Sequence, residues 1–304
     1  MKAWIALAVA LAVLASTAIA VGAWLFVKRP LALYAWSTRG ALARSGLVKI
    51  QADTPAGAQT VFTGGRGPAT VLLHGAGDQA GTWFLVVPEL AKKRSLIVPD
   101  LAGHGDSAPE KGPIAFTQVL EGVEGVIRSL AAGRKVTVVG NSLGAWVGIH
   151  VALRHPEWIE RVVCVNGGPL RGSSGASAVL PRTREEARAS VALTRDPASR
   201  PIPDKVLDDI VRQARVGPLA RFAATASTME PWVLADEQLG ALKVPVDIVW
   251  GASDRLMPVE YARRMQAAIP GARLQTLEAC GHVPQVECPL ALIAALATVL
   301  EDAP

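Results

Sequence analysis

Midway along the 304-residue chain, residues 135–139 read as a strand apolar on both faces. They run directly into Gly140-Asn141-Ser142-Leu143-Gly144, after which a helical pattern continues to about Arg154. A strand with two apolar faces must be covered on both sides. The glycines flanking the serine permit a tight strand-to-helix turn in which its hydroxyl can stand exposed.

The same rhythm recurs. Strand signals fall at 69–73, 95–99, 161–165, 244–250 and 273–277, with shorter ones at 47–51 and 60–62 split by Thr54-Pro55-Ala56-Gly57. Helical patterns cover 82–91, 116–131, 258–268 and 289–300. This alternation predicts an α/β fold with a mostly parallel sheet and helices on both faces. Residues 170–238 break it: a Gly/Ser-rich stretch at 172–177 precedes amphipathic segments at 184–193 and 205–215. A structureless loop of that length is unusual in a compact domain, so the segment predicts a helical cap inserted after the sixth core strand. The core is then 47–169 with 239–304, and the cap is 170–238.

At the N-terminus, residues 3–27 carry no charge, and Lys28, Arg29 and Pro30 end the run. As a helix this spans about 37 Å, enough to cross a bilayer. Trp4 and Trp24 fall near its two ends, where interfacial indoles are favoured. The expectation is an uncleaved single-pass anchor followed by a juxtamembrane linker over 28–46; the alternative is a cleaved signal peptide, with small residues at 15–20 as the cleavage region. Lys28, Arg29, Arg39 and Arg44 follow the run and only Lys2 precedes it, a bias toward a cytoplasmic catalytic domain.

Half the residues are hydrophobic and 19% are charged, which excludes a disordered chain. The net charge of +5 is spread without a basic cluster, so no nucleic-acid partner is expected, whereas attraction to anionic lipid is consistent with it. Cys164, Cys280 and Cys288 lack metal-ligand spacing; Cys280 and Cys288 can pair, although nothing in the sequence demands it. No metal, cofactor or obligate protein partner is implied.

A serine becomes nucleophilic only beside a base, and the base needs an orienting acid. His282, just after the last predicted strand, is the candidate base for Ser142, with His104 second. His150 and His155 belong to the helix after the serine, and His74 supports a neighbouring loop. Asp254, directly after the 244–250 strand, is the candidate acid; Asp247 and Asp100 read as structural carboxylates. Two backbone amides aimed at a developing oxyanion complete such a site. Leu143 supplies one, and the loop His74-Gly75-Ala76-Gly77 the other, through Ala76 first and Gly77 second. Met229, Trp232 and Leu234 either line an apolar substrate pocket or hold the cap onto the core.

Taken together, His74-Gly75-Ala76-Gly77, Trp83, the run Pro99 to Ser107, Gly140 to Gly144, Gly251 to Asp254 and Gly281 to Glu287 resemble the α/β-hydrolase fold family over nearly all the chain after residue 45. The resemblance implies the chain order serine, aspartate, histidine. A serine at 142 disfavours the epoxide-hydrolase and haloalkane-dehalogenase branches, whose nucleophile is an aspartate. Two branches remain close: the esterase and monoacylglycerol-lipase-like enzymes, and the meta-cleavage-product hydrolases that split a carbon–carbon bond beside a ketone. Ala145 departs from the second glycine usual in both. The membrane segment leans toward a serine esterase, lipase-like, acting on an apolar acyl ester or lipid, with carbon–carbon hydrolysis as the alternative.

Overall fold

The computed structural model describes residues 2–172 and 180–301; most of the Gly/Ser-rich stretch 172–177 lies outside the described residues. Strands β1 (Val48–Thr54), β2 (Gly57–Gly65), β3 (Ala69–Leu73), β4 (Ser95–Pro99), β5 (Val136–Asn141), β6 (Ile159–Val165), β7 (Val246–Gly251) and β8 (Arg273–Leu277) form one sheet. Their order is β1-β2-β4-β3-β5-β6-β7-β8. β2 is antiparallel to both β1 and β4, and the remaining neighbours are parallel. The sheet is therefore mixed at one end and parallel from β4 onward.

The helices are α1 (Lys2–Lys28), α2 (Pro30–Arg44), α3 (Val87–Leu90), α4 (Phe116–Leu130), α5 (Leu143–Arg154), α6 (Arg184–Thr194), α7 (Asp204–Val216), α8 (Pro218–Ala223), α9 (Asp236–Leu239), α10 (Val259–Ala268), α11 (Pro284–Glu287) and α12 (Pro289–Glu301). Side chains alternate across the sheet as a period of two requires. Val71, Leu73 and Val138 enter a layer with α4, α5 and α10. Leu72 and Val139 enter the opposite layer, with Leu42 of α2, Trp83, and Leu292 and Leu296 of α12. Each fully buried Val or Leu contributes roughly 1.5–3 kcal/mol, so both layers hold the sheet.

Two stretches differ from expectation. The helix expected over 82–91 is broken into a 3₁₀ turn, Ala80–Trp83, and the short α3. The Gln79 side chain accepts from Gly81 N at 2.7 Å, and Pro88, without an N–H, fits only the first turn of a new helix. The stretch 28–46, expected as a linker, carries α2, which starts with Pro30 at its first position and buries Thr38 and Leu42 against the core. Its apolar stripe is too short to stand out beside the much stronger α1 signal.

Within α1, Val9–Lys28 has a mean hydropathy of 2.2 and is not buried against the rest of the chain; its length and composition suffice to cross a membrane. Between β6 and β7, α6 to α9 form the helical insertion. It is closed at its base by a parallel bridge between Leu170 and Leu234.

Candidate functional site

Ser142 sits at the junction of β5 and α5 with φ +53° and ψ −113°, a left-handed conformation that costs a non-glycine residue on the order of 1–3 kcal/mol. The glycines on either side explain how the turn closes. A Cβ at Gly140 would meet backbone atoms of Gly144 and Ala145, and one at Gly144 would meet the Leu73 backbone, each well inside contact distance. The serine amide donates to Val165 O at 3.0 Å, which fixes the turn against β6.

His282 and Asp254 lie on the loops after β8 and β7, and both are buried. His282 Nδ1 meets Asp254 Oδ2 at 2.7 Å. Asn166 Nδ2 donates to the same oxygen at 2.8 Å, and the amides of Leu256 and Met257 donate to Oδ1 at 3.0 and 2.9 Å. The carboxylate is thus held by four partners and its orientation toward the imidazole is fixed.

Beside the serine, a Cβ at Gly75 would lie 3.3 Å from Ser142 Cβ, so the loop after β3 runs against the serine turn. Ala76, next in that loop, is part-buried. Leu143 is the first residue of α5, where an amide has no acceptor within its own helix. His74 ties this loop to the next: its Nδ1 donates to Gly75 O at 2.8 Å and its Nε2 accepts from Leu101 N at 3.0 Å. The ring is therefore neutral. Burial drives its pKa down to about 4 against the Gly75 carbonyl contact. Gly77 takes φ +81°, and a Cβ there would meet Leu219 of α8 at 3.0 Å, so the insertion covers the loop.

The other candidates are engaged elsewhere. His104 is buried, donates Nδ1 to Ala102 O and faces the His74 ring edge-on at 5.3 Å. Burial, then the neighbouring His74, pushes its pKa down to about 3. His150 bonds Trp232 O at 2.7 Å, and His155 stacks on Trp158 at 3.7 Å. Asp247 pairs with Arg161 and with Arg273, and Asp100 pairs with Arg39 of α2 at 2.9 Å. Both are structural carboxylates. Trp232 packs with Phe116, Trp146 and His150, and Leu234 bridges Leu170, so these two hold the insertion onto the core. Met229 packs on the same core layer.

Three organising residues escaped the sequence reading. Asn141 donates to His282 O at 2.9 Å and accepts from Gln285 Nε2 at 3.0 Å, so the residue before the serine fixes the histidine loop. Asn166, besides holding Asp254, accepts from Gly251 N at 3.0 Å. Glu287 accepts from the amides of Gly281 at 2.6 Å and Asp196 at 3.0 Å, tying the histidine loop to the insertion. Their only signal was position: an asparagine within the serine turn, another before Gly167-Gly168, and an acid five residues after a histidine. Cys280 and Cys288 form a disulfide that closes the loop carrying His282.

Comparison with known proteins agrees with this architecture. Residues 70–296 match the sequence model of the Alpha/beta hydrolase family. A pimeloyl-[acyl-carrier protein] methyl ester esterase of Aromatoleum aromaticum is 30% identical over 243 residues, covering 73% of this chain and 94% of the relative. A 2-hydroxy-6-oxononadienedioate/2-hydroxy-6-oxononatrienedioate hydrolase of Cupriavidus pinatubonensis is 27% identical, covering 77% of this chain and 84% of that protein. Among solved structures, a bacterial membrane phospholipase A superposes with a TM-score of 0.75 at 21% identity, covering 100% of this chain and 99% of that one; it shares the fold.

Proposed function

Because this chain belongs to the alpha/beta hydrolase family, with esterase and meta-cleavage-product hydrolase relatives, we propose that it is a carboxylic ester hydrolase with Ser142, His282 and Asp254 as its triad. The observation that carries this reading is the buried His282–Asp254 hydrogen bond of 2.7 Å, formed at the edge of the sheet where Ser142 is held in its strained turn. Asp254 occupies Nδ1, which leaves Nε2 as the ring nitrogen for the serine proton.

In this mechanism His282 takes the proton as Ser142 Oγ attacks the ester carbonyl. The tetrahedral oxyanion rests on the amides of Leu143 and Ala76. The intermediate collapses to an acyl-serine while His282 protonates the leaving alcohol. Water, deprotonated by His282, attacks the acyl carbonyl, and the acid departs as the proton returns to Ser142. Asp254 balances the imidazolium in both halves.

Arg221 of the insertion braces the loop that precedes α4. This cation lies on α8, two residues beyond the Leu219 that covers Gly77. Its donors go to the carbonyls of Gly112, Gly103 and Pro109, at 2.7, 2.9 and 2.5 Å. It holds the 103–114 loop.

In the same reading α1 is a membrane anchor that brings the site to apolar acyl esters. The Cys280–Cys288 disulfide favours an oxidising compartment for the domain, against the charge bias around α1.

The test is turnover of the full-length protein on p-nitrophenyl esters of increasing chain length and on monoacylglycerols, beside one meta-cleavage diketone. The Ser142→Ala variant serves as blank. Ester turnover that the variant loses supports the reading; rapid diketone cleavage with little ester turnover replaces it with carbon–carbon hydrolysis.

A further inference from the structure

A cleft of about 320 Å³ opens between the end of α6, the segment 195–202 and α7, and none of Ser142, Asp254 or His282 lines it. Its size falls at the small end of the range for small-molecule sites. Its walls are of two kinds. Val191, Ile202 and Leu207 form an apolar side, while Arg188, Arg195, Arg200 and Arg255 supply four guanidinium groups against one carboxylate, Asp196.

Three of the cations are already balanced. Arg188 pairs with Asp204 at 2.7 Å, and Arg195 lies 3.7 Å from Glu287. Asp196 accepts from Ser253 Oγ and from Ala198 N. Arg255 donates to the Ala192 carbonyl, and its charge, after the Ser253 and Ala198 hydrogen bonds, helps hold the Asp196 carboxylate below its usual range. Among the described residues, Arg200 has no carboxylate partner. The cleft therefore presents one uncompensated cation, Arg200, beside an apolar wall, with Arg255 balanced by Asp196.

Its position is equally specific. The α7 wall starts beside Lys205, whose ammonium lies 3.0 Å from the centre of the Phe26 ring of α1. On the other side, Leu193 O accepts from the amides of Arg255 and Leu256, both at 2.9 Å, and Thr194 O accepts from His282 N at 2.8 Å. One short segment thus borders the cleft and brackets the loops of Asp254 and His282.

We propose that this cleft binds an amphiphile with an anionic head, a fatty carboxylate or a lipid phosphate. The head sits on Arg200, and the first methylenes lie against Val191, Ile202 and Leu207. Guanidinium groups match carboxylate and phosphate oxygens in fork geometry. Closeness to the end of an apolar helix long enough to span a bilayer sets the cleft where such heads are concentrated.

The experiment is calorimetric titration of decanoate into the full-length protein in phosphatidylcholine nanodiscs, with empty nanodiscs subtracted and decanol as the uncharged control. The expected result is saturable decanoate binding, about tenfold weaker in Arg200→Gln and largely restored in Arg200→Lys, since a hydrogen bond to a charged group is lost and then replaced. Nanodiscs containing phosphatidylglycerol separate the sources: decanoate binding that weakens there identifies a bilayer lipid as occupant, and unchanged binding identifies a free carboxylate. Equal affinity for decanol, or a decanoate isotherm unaltered by Arg200→Gln, overturns the proposal. Because binding is read without turnover, a failed ester assay leaves this result standing.

Discussion

The buried carboxylate of Asp209, on α7, accepts a hydrogen bond from the backbone amide of Leu31 at the start of α2, 3.0 Å away and across 178 residues of sequence. Helix starts expose amides without intrahelical acceptors, and an acid there satisfies one and meets the positive end of the helix dipole. The insertion is thereby pinned to the N-terminal helices. Asp209→Ala leaves that amide without its acceptor and should lower stability by about 1–3 kcal/mol. Thermal unfolding of the detergent-solubilised full chain reads this, and an unchanged midpoint would remove Asp209 from the joint.

Asn141 links the serine turn to the histidine loop through its bond to His282 O. Asn141→Ala should shift the imidazole without removing any triad member. The expected outcome is a fall in kcat of about ten- to hundredfold with little change in KM, since small misplacements of a reacting group cost that much. Steady-state kinetics on the best ester checks it, and a kcat equal to wild type would show that Asn141 is only structural.

Acid stability should be governed partly by buried histidines, His74 and His104 above all. Burial brings His74 from 6.5 to about 4 and His104 from 6.5 to about 3. Between pH 6.5 and these folded values the unfolded chain binds more protons than the folded one, so stability falls as pH drops through that window. Asp78 works in the opposite sense. Burial raises it from 3.8 to about 6, so the folded state gains a proton between pH 6 and 3.8. Burial also lowers His150 and raises Asp100, and three histidines against two aspartates leave a net loss on acidification. Urea unfolding at pH 7.0, 5.5 and 4.5 should show it, with a shallower dependence in His104→Gln. An equal slope in that variant would mean that His104 is already protonated in the fold.

If α1 anchors the chain, the full-length protein should stay with the membrane fraction after alkaline carbonate washing and be released by detergent. Release by carbonate alone would reduce α1 to a peripheral or processed segment.

The strands and the candidate triad positions were legible because both rest on short-range patterns. Two-faced apolar runs such as those ending at Leu73 and Val139 mark sheet strands, and glycines at 140 and 144 mark a turn where backbones touch. The 3₁₀ break at Ala80–Trp83 was not legible, because a side-chain cap from Gln79 overrode an otherwise continuous helical pattern.

The sequence by itself determined the alternation of strands and helices, the place of the insertion after β6, and an N-terminal helix apolar enough to cross a bilayer, since each is written in the local spacing of apolar and turn residues. Only the tertiary structure decided that Arg39 of α2 answers Asp100, that Asp209 holds α2 to the insertion, and that Asn141, Asn166 and Glu287 fix the loops of His282 and Asp254. These are single hydrogen bonds and ion pairs between residues far apart in the chain. Neither periodicity nor composition carries such pairings, because the partners are chosen by where packing of the sheet brings the loops.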